Sequence, residues 1–300
     1  MIPQSELRFD LHMHSSYSDA YWSYAQLISE AMNNGVDIVS ITDHDIISDM
    51  DFIMSIDSTL SFITGVEATV NLNGKLFHIL GYGFDWQDAP LNELMNNSVR
   101  VAYNKTAQKD EIMIQALIDT GFPIDMKEYE NSSFGPQPIP GRQYDSKVAS
   151  YFLHKKLCDS TEDFYVRYNL KGISVKSPPF PHPSEVIGAI KKAGGVPVLA
   201  HPVHTSDDLP LDVTLKLFKD LSIEGIECYR PGYDQSLTEL LSGYCRGYGL
   251  LVVGGSDIHG GKDKGRTLGI PEITYDQLVL GDLINKTYRG INKENPRGTS

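Results

Sequence analysis

The sequence predicts an α/β fold in which helices pack outside a parallel sheet, arranged either as a barrel or as a doubly wound sheet. Three observations carry that expectation. Short runs rich in apolar and β-branched residues alternate with stretches of helical period. Gly35, Gly121, Gly194 and Gly249 stand where the helical stretches should stop. The alternation lapses between residues 90 and 179 and then resumes, so an insertion interrupts the sheet-forming body.

Residues 9–12 read as a strand and residues 23–33 as a helix. Residues 36–42 form an apolar, β-branched run, hence a buried strand. Residues 62–66, 76–81, 196–200, 225–228 and 250–253 repeat that pattern. Helices are expected at 183–192, 211–220 and 235–246. Strands alternating with helices in this way make a parallel sheet with the helices outside. Residues 90–179 are helical and polar, broken by the Pro-rich FGPQPIPG at 134–141 and followed by SPPFPHP at 177–183. The expected organisation is a catalytic body from residues 1–89 and 180–300, with a helical insertion over 90–179 covering the active-site mouth.

Composition narrows the function. The 300 residues, 41% of them apolar, suffice for one large domain with an insertion. The first ten residues hold Glu6, Arg8 and Asp10 and no apolar block, so no leader is expected. Apolar runs such as 250–253 fall far below the ~20 residues of a membrane span. Cys158, Cys228 and Cys245 form no CxxC pair, which points to reduced thiols and a cytoplasmic location. A formal net charge of −13 disfavours long nucleic acid as a partner. It leaves a small anionic substrate open, because bound cations would neutralise acids at a site.

The chemistry concentrates at strand ends. In DLHMHSSYSDA, His12 and His14 are two apart on a strand, so both imidazoles face one way and can chelate a divalent metal. TDHD puts Asp43, His44 and Asp45 after the strand at 36–42. GVEA puts Glu67 at the end of the next strand, and His78 lies within 76–81. AHP supplies His201, and GSDIHG supplies Asp257 and His259, again two apart. Catalytic groups of α/β barrels gather at the C-terminal strand ends. Six of the nine histidines lie at such places, which solvated histidines would not do by chance.

HxHxxxSD, TDHD, a strand-end Glu, a later His, AHP and GSDxHG, in this order, resemble the PHP (polymerase and histidinol phosphatase) family along the whole chain. The most similar subgroup is the small bacterial phosphoesterases that act as nucleoside 3′,5′-bisphosphate phosphatases or short-RNA exonucleases. The resemblance implies a distorted (β/α)7 TIM-like barrel with two or three divalent metal ions at its mouth. It implies a first ion on His12, His14, Glu67 and Asp257, and a second on Glu67, His78 and His201. A third would sit on Asp19, His44 and His259, with Asp19 standing where other members have histidine. Asp43 and Asp45 are expected to orient His44 or its neighbours, as ligating histidines require. The mixed nitrogen and oxygen donors suit zinc, manganese or iron(II). Such a centre acidifies a bridging water towards ~7 and neutralises phosphoryl oxygens during in-line attack.

Arg142, in PGRQYDSKVASYF, matches the arginine of the family's GRxH motif and is expected to clamp a substrate phosphate. Tyr144 stands in place of that motif's histidine, a departure from the family pattern that bears on the substrate and on the proton donor to the leaving group. His204 faces the site if the loop after His201 turns inward. Lys147, Arg230, Tyr233 and Arg266 are lesser candidates, and Tyr17, Tyr21, Trp22 and Tyr24 could stack on a base or simply pack their loop. His154 and His182 read as structural. The expected reaction is hydrolysis of a phosphate ester of a small nucleotide-like substrate. The alternatives are 5′-3′ cleavage of short RNA, histidinol-phosphate hydrolysis, C–N hydrolysis and a non-catalytic metal-binding module.

Overall fold

A computed structural model of the chain describes residues 3–131, 146–159, 161–168, 180–203, 209–260 and 266–289. They fall into two compact units, Met1–Asn96 with Pro181–Ser300, and Asn97–Phe180. In chain order the first unit contains β1 (Phe9–Met13), α1 (Tyr24–Asn33), β2 (Ile38–Ile41), α2 (Met50–Ser55), β3 (Ser61–Phe62), β4 (Gly65–Leu72) and β5 (Lys75–Tyr82). The chain passes into the second unit within α3 (Ala89–Asp119). There it forms α4 (Met126–Asn131), α5 (Lys147–His154) and α6 (Thr161–Tyr168). Back in the first unit come α7 (Pro183–Lys192), β6 (Val196–Leu199), α8 (Leu211–Asp220), β7 (Gly225–Tyr229), α9 (Gln235–Tyr248), β8 (Leu251–Gly254) and β9 (Tyr288–Arg289). No helix among the described residues is long and apolar enough to cross a membrane.

The mixed α/β class stands, but the sheet is not all parallel. One sheet runs β1-β2-β3-β9 and the other β4-β5-β6-β7-β8. β1 to β3 and β6 to β8 are parallel and joined through helices, whereas β4/β5, β5/β6 and β3/β9 are antiparallel. The reason is local. Asn73 and Gly74 both have positive φ, 55° and 85°, the geometry of a two-residue hairpin turn, so β5 must fold straight back on β4. The expected strand over 62–66 is likewise two strands, one in each sheet. At Gly65 a side chain would collide with Ser40, Ile41 and Thr42, so only glycine lets β4 start beside β2. Glu67 consequently lies inside β4 rather than at a strand end.

Period-two alternation sorts the side chains. Val66, Ala68 and Val70 of β4 and Phe77 and Ile79 of β5 pack with α7, α8 and α9 residues such as Ile187, Leu215 and Leu241. Leu80 and Tyr82 point the other way, into a cluster with Leu11, Val198 and Val253. Glu67 and His78 share that inward side of their strands. Helix ends follow the sequence: Ser23 and Gln26 form a capping box on α1, Asp234 caps α9, and Gly249 closes α9 at φ 66°. His182 caps α7 through its ring nitrogen. The second unit has its own core, in which Phe152, Phe164, Tyr151 and Val148 are buried with Met113 and Leu117.

Isolated bridges link the two sheets beside the histidine motifs, at His44 to Glu67 and at Met13 to Ile258. Gly255 holds one of these seams closed, since a Cβ there would strike the His12 backbone, the His12 Cβ and Asp10 Oδ1. Gly255→Ala is therefore expected to destabilise the fold by ~1–3 kcal/mol, the usual range for overpacking a tight site. Urea denaturation measures this, and an unchanged midpoint would refute it.

Candidate metal centre

His12 and His14, at and just beyond the end of β1, are fully buried on one side of the strand. His12 Nδ1 lies 2.8 Å from Glu227 Oε1. The carboxylate can only accept, so Nδ1 carries the hydrogen and the Nε2 lone pair points onward. It meets His14 Nε2 at 3.1 Å, Glu67 Oε2 at 3.2 Å and Asp257 Oδ1 at 3.4 Å. His14 Nε2 lies 3.2 Å from both the same Glu67 oxygen and Asp257 Oδ1. Lone pairs converging in a dry interior repel one another unless a cation stands among them.

Glu67 is the hub. Its Oε2 also faces His44 Nδ1 at 3.3 Å, while Oε1 takes His78 Nδ1 at 3.0 Å and His201 Nε2 at 2.8 Å. On the far side Asp19 Oδ2 lies 3.2 Å from His259 Nε2 and 3.7 Å from His44 Nε2, and Asp19 Oδ1 lies 3.8 Å from His14 Nδ1. Among the described residues the donor atoms form three groups, each with members within 4.8 Å of one another. They are His12, His14, Glu67 and Asp257; His44, Glu67 and His78; and His14, Asp19, His44 and His259. The nine residues singled out in the sequence thus come together, with His14 and His44 each reaching two groups. His201 joins the second through its contacts with Glu67 and His78. His78, His259 and Asp19 keep 25%, 23% and 25% of their side chains exposed, which leaves an edge of the cluster open to a ligand.

Strained backbone aims these groups. His201 and Asp257 have positive φ, 25° and 51°, an unfavourable region for residues with a Cβ. The Asp257 N–H donates to the His12 carbonyl at 2.7 Å, and the His201 N–H donates to Glu227 Oε2 at 2.8 Å. Arg230 and Arg266 both engage Asp257 Oδ2, the latter at 2.9 Å, which leaves Oδ1 turned to the histidines. Asp10 accepts from the backbone N–H groups of Ser256 and Gly269, both at 2.8 Å, fixing the loop that carries Asp257.

Asp43 acts on a neighbour of His44 in the cluster. It accepts from the Ser15 N–H at 2.7 Å, the Ser15 hydroxyl at 2.7 Å and the Ser18 hydroxyl at 2.6 Å, and so braces the loop bearing Asp19. Asp45 accepts from the Thr69 N–H at 2.7 Å, anchoring its turn to β4. Tyr17 stacks on the buried Tyr24, and the Trp22 ring packs on Gly260, whereas Tyr21 is exposed. Arg230 also lies against the Tyr233 ring. Lys147 reaches the Glu130 carbonyl and the Tyr129 ring inside the second unit. Arg142, Tyr144 and His204 lie outside the described residues. Sequence reasoning overlooked Glu227 and gave Asp10 no role. A charged residue inside a buried strand (GIECY, FDLHM) is itself a signal, since buried carboxylates persist only when paired.

The electrostatics fit a cation centre. Burial works against a charged His12, but Glu227, Glu67 and Asp257 overcome it and hold the ring well above its usual range. His14 is likewise pushed up to about 10 despite its burial, by Asp257 and Glu67. Burial would raise Asp19, Glu67 and Asp257, yet the surrounding imidazoles hold all three below the ordinary carboxylate range. Burial draws His44 down to about 3 against the pull of Glu67 and Asp19, so it is a neutral donor. The Nδ1 atoms of His14 and His44 are buried and form no hydrogen bond. Without metal, protons on His12 and His14 supply the positive charge. A nitrogen and oxygen donor set of this kind fits divalent zinc, manganese or iron. Metal must displace those protons, so apparent affinity should rise with pH from neutrality towards 10, with about two protons released per ion bound at this group, one from each ring. Calorimetric titration with Zn²⁺ in buffers of different ionisation enthalpy measures the release, and pH-independent affinity would contradict it.

The chain resembles known proteins in sequence and in fold. A 5′-3′ exoribonuclease from Haemophilus influenzae is 26% identical over 264 residues, spanning 84% of this chain and 90% of that protein. A phosphoribosyl 1,2-cyclic phosphate 1,2-diphosphodiesterase from Eggerthella lenta is 23% identical over 271 residues, spanning 84% and 94%. The fold is shared with an amidohydrolase from Chromobacterium violaceum solved with sulfate and no metal, at TM-score 0.72, 21% identity and coverage of 96% and 99%. It is shared also with a protein from Bifidobacterium adolescentis assigned as a metal-dependent phosphoesterase, at TM-score 0.70, 23% identity and coverage of 95% and 96%. The model of the PHP domain matches residues 10–132, the stretch that holds His12, His14, Asp19, His44, Glu67 and His78.

Proposed function

We propose that this chain is a metal-dependent phosphoesterase that hydrolyses a phosphate ester of a small, nucleotide-like substrate, a nucleoside 3′,5′-bisphosphate being one such compound. The observation that carries the reading is Glu67, a buried carboxylate whose two oxygens serve two adjoining donor groups and so can bridge two ions. Two or three ions of manganese, zinc or iron(II) match the donors. When bound, they supply Lewis acidity to the phosphoryl oxygens and bring the pKa of water towards ~7. The protein's part is to fix the donors and admit the phosphate at the edge formed by His78, Asp19 and His259. Arg142 is read as the fork that grips a phosphate oxygen pair. The bridges joining the two sheets at His44–Glu67 and Met13–Ile258 support a distorted (β/α)7 barrel as the frame.

A second reading, hydrolysis of a phosphodiester, has its own support: both curated relatives bear the names of phosphodiester hydrolases. The net charge of −13 favours a short or small substrate in either case.

One panel separates the readings. The manganese-loaded protein is assayed on 3′,5′-bisphosphorylated adenosine, 5′-mononucleotides, short 5′-phosphorylated RNA, a ribose cyclic phosphate and histidinol phosphate. Turnover of one small nucleotide-like ester is expected, falling more than ~100-fold in His12→Ala. Fully loaded protein that hydrolyses none of them would sink the proposal. Arg142→Ala should lower kcat/KM by ~10–100-fold, the loss of a charge-assisted hydrogen bond, at unchanged metal content. Loss of metal in that variant would reject a substrate role for Arg142.

A further inference from the structure

β7 supplies no member of the three donor groups, yet its middle residue lies behind them. Glu227, third in that strand, is completely buried and spends its two oxygens on two different places. Oε1 takes the His12 Nδ1 hydrogen at 2.8 Å. Oε2 takes the backbone N–H of His201 at 2.8 Å, at the residue whose φ of 25° is unfavourable for any side chain. His12 belongs to the group with His14 and Asp257, and His201 sits against Glu67 on the side of His78. One carboxylate therefore sets the tautomer of a ring in the first group and the backbone of a ligand-type histidine beside the second.

We propose that Glu227 is a positioning residue that couples the two donor groups, holding the His12 lone pair and the His201 ring in ligating orientation at the same time. The proposal rests on reading this cluster as a metal centre. A carboxylate is costly in so dry a position, and a neutral residue would serve mere packing better. Its negative charge becomes favourable when a cation sits on the far face of His12, because the charge behind the ring strengthens that ring as a donor. Glutamine cannot substitute: its carbonyl can accept from only one of the two N–H groups, and its amide would confront the other donor with a second donor.

The test is zinc binding by the full chain, measured by competition with a chromophoric chelator, for the parent and Glu227→Gln. Zinc affinity should fall ~10–100-fold at both of the tightest sites, as for other groups that orient a ligand. The ligand-field absorption of the cobalt-loaded variant should shift as well. Affinities within twofold of the parent and an unchanged cobalt spectrum would overturn the proposal. So would loss at a single site, because coupling requires both. A parent chain that takes up no zinc would instead bring down the metal-centre reading and the proposal together. Should Glu227→Gln fail to fold, histidine-labelled parent protein loaded with zinc still decides. His12 must then show a slowly exchanging hydrogen on Nδ1, and a hydrogen on Nε2 refutes the assignment.

Discussion

One buried carboxylate organises this protein. Among the described residues, His12, His14 and His44 press on one oxygen of Glu67, and His78 and His201 on the other. A carboxylate out of water is tolerated only with compensating partners, and imidazoles packed together are tolerated only with an anion among them. Each side of the arrangement needs the other. It constrains four stretches of chain at once: β1, the turn after β2, the β4/β5 hairpin and the end of β6. The hairpin is the tightest constraint, because the register that sets Thr69 opposite His78 fixes Glu67 and His78 on one side. Slipping that register by one residue would put Glu67 and His78 on opposite faces of the hairpin and break up the shared apolar face of Val66, Ala68, Val70, Phe77 and Ile79.

The groups behind the donors follow a consistent charge logic. A carboxylate, Glu227, backs an imidazole, and guanidinium groups, Arg230 and Arg266, back the carboxylate of Asp257. His12 and Asp257 are thus each opposed by the charge that holds the unused atom and leaves the other atom turned inward. Asp10 and Asp43 act one step further out, on backbone and hydroxyl hydrogens of the loops that carry Asp257 and Asp19. Several acids that make this chain so anionic are therefore internal and matched, and the net charge overstates how negative its surface is.

What the sequence disclosed and what it hid divide along physical lines. His12 and His14, or Asp257 and His259, declare themselves because a strand repeats every two residues, and α7 and α8 match their expected spans because Pro183, Gly194 and amphipathic spacing mark them locally. The antiparallel hairpin was also legible in Asn73-Gly74, a turn signal that the expectation of a parallel sheet overrode. The split at residues 63–64 was not legible, since it depends on Gly65 approaching β2, a contact made only in the folded chain. Glu227 was hidden for the same reason. Its partners are 215 and 26 residues away, so nothing in its neighbourhood foretells them.

The same opposition of charges sets the conditions under which the metal-free cluster is stable. His14 has a folded value of about 10 against an unfolded value of ~6.5, so its contribution is fully present below ~6.5 and is lost as pH climbs towards 10. Asp19, Glu67 and Asp257 are shifted the other way, so theirs is present above ~4 and is lost as pH falls through their depressed folded values. The two limbs overlap only in a window from weakly acid to neutral. A divalent ion replaces the imidazole protons with a charge that does not titrate, and so removes the alkaline limb while leaving the acid one. Metal binding and folding stability are thus the same electrostatic problem in this chain, solved by protons on one side of neutrality and by metal on the other.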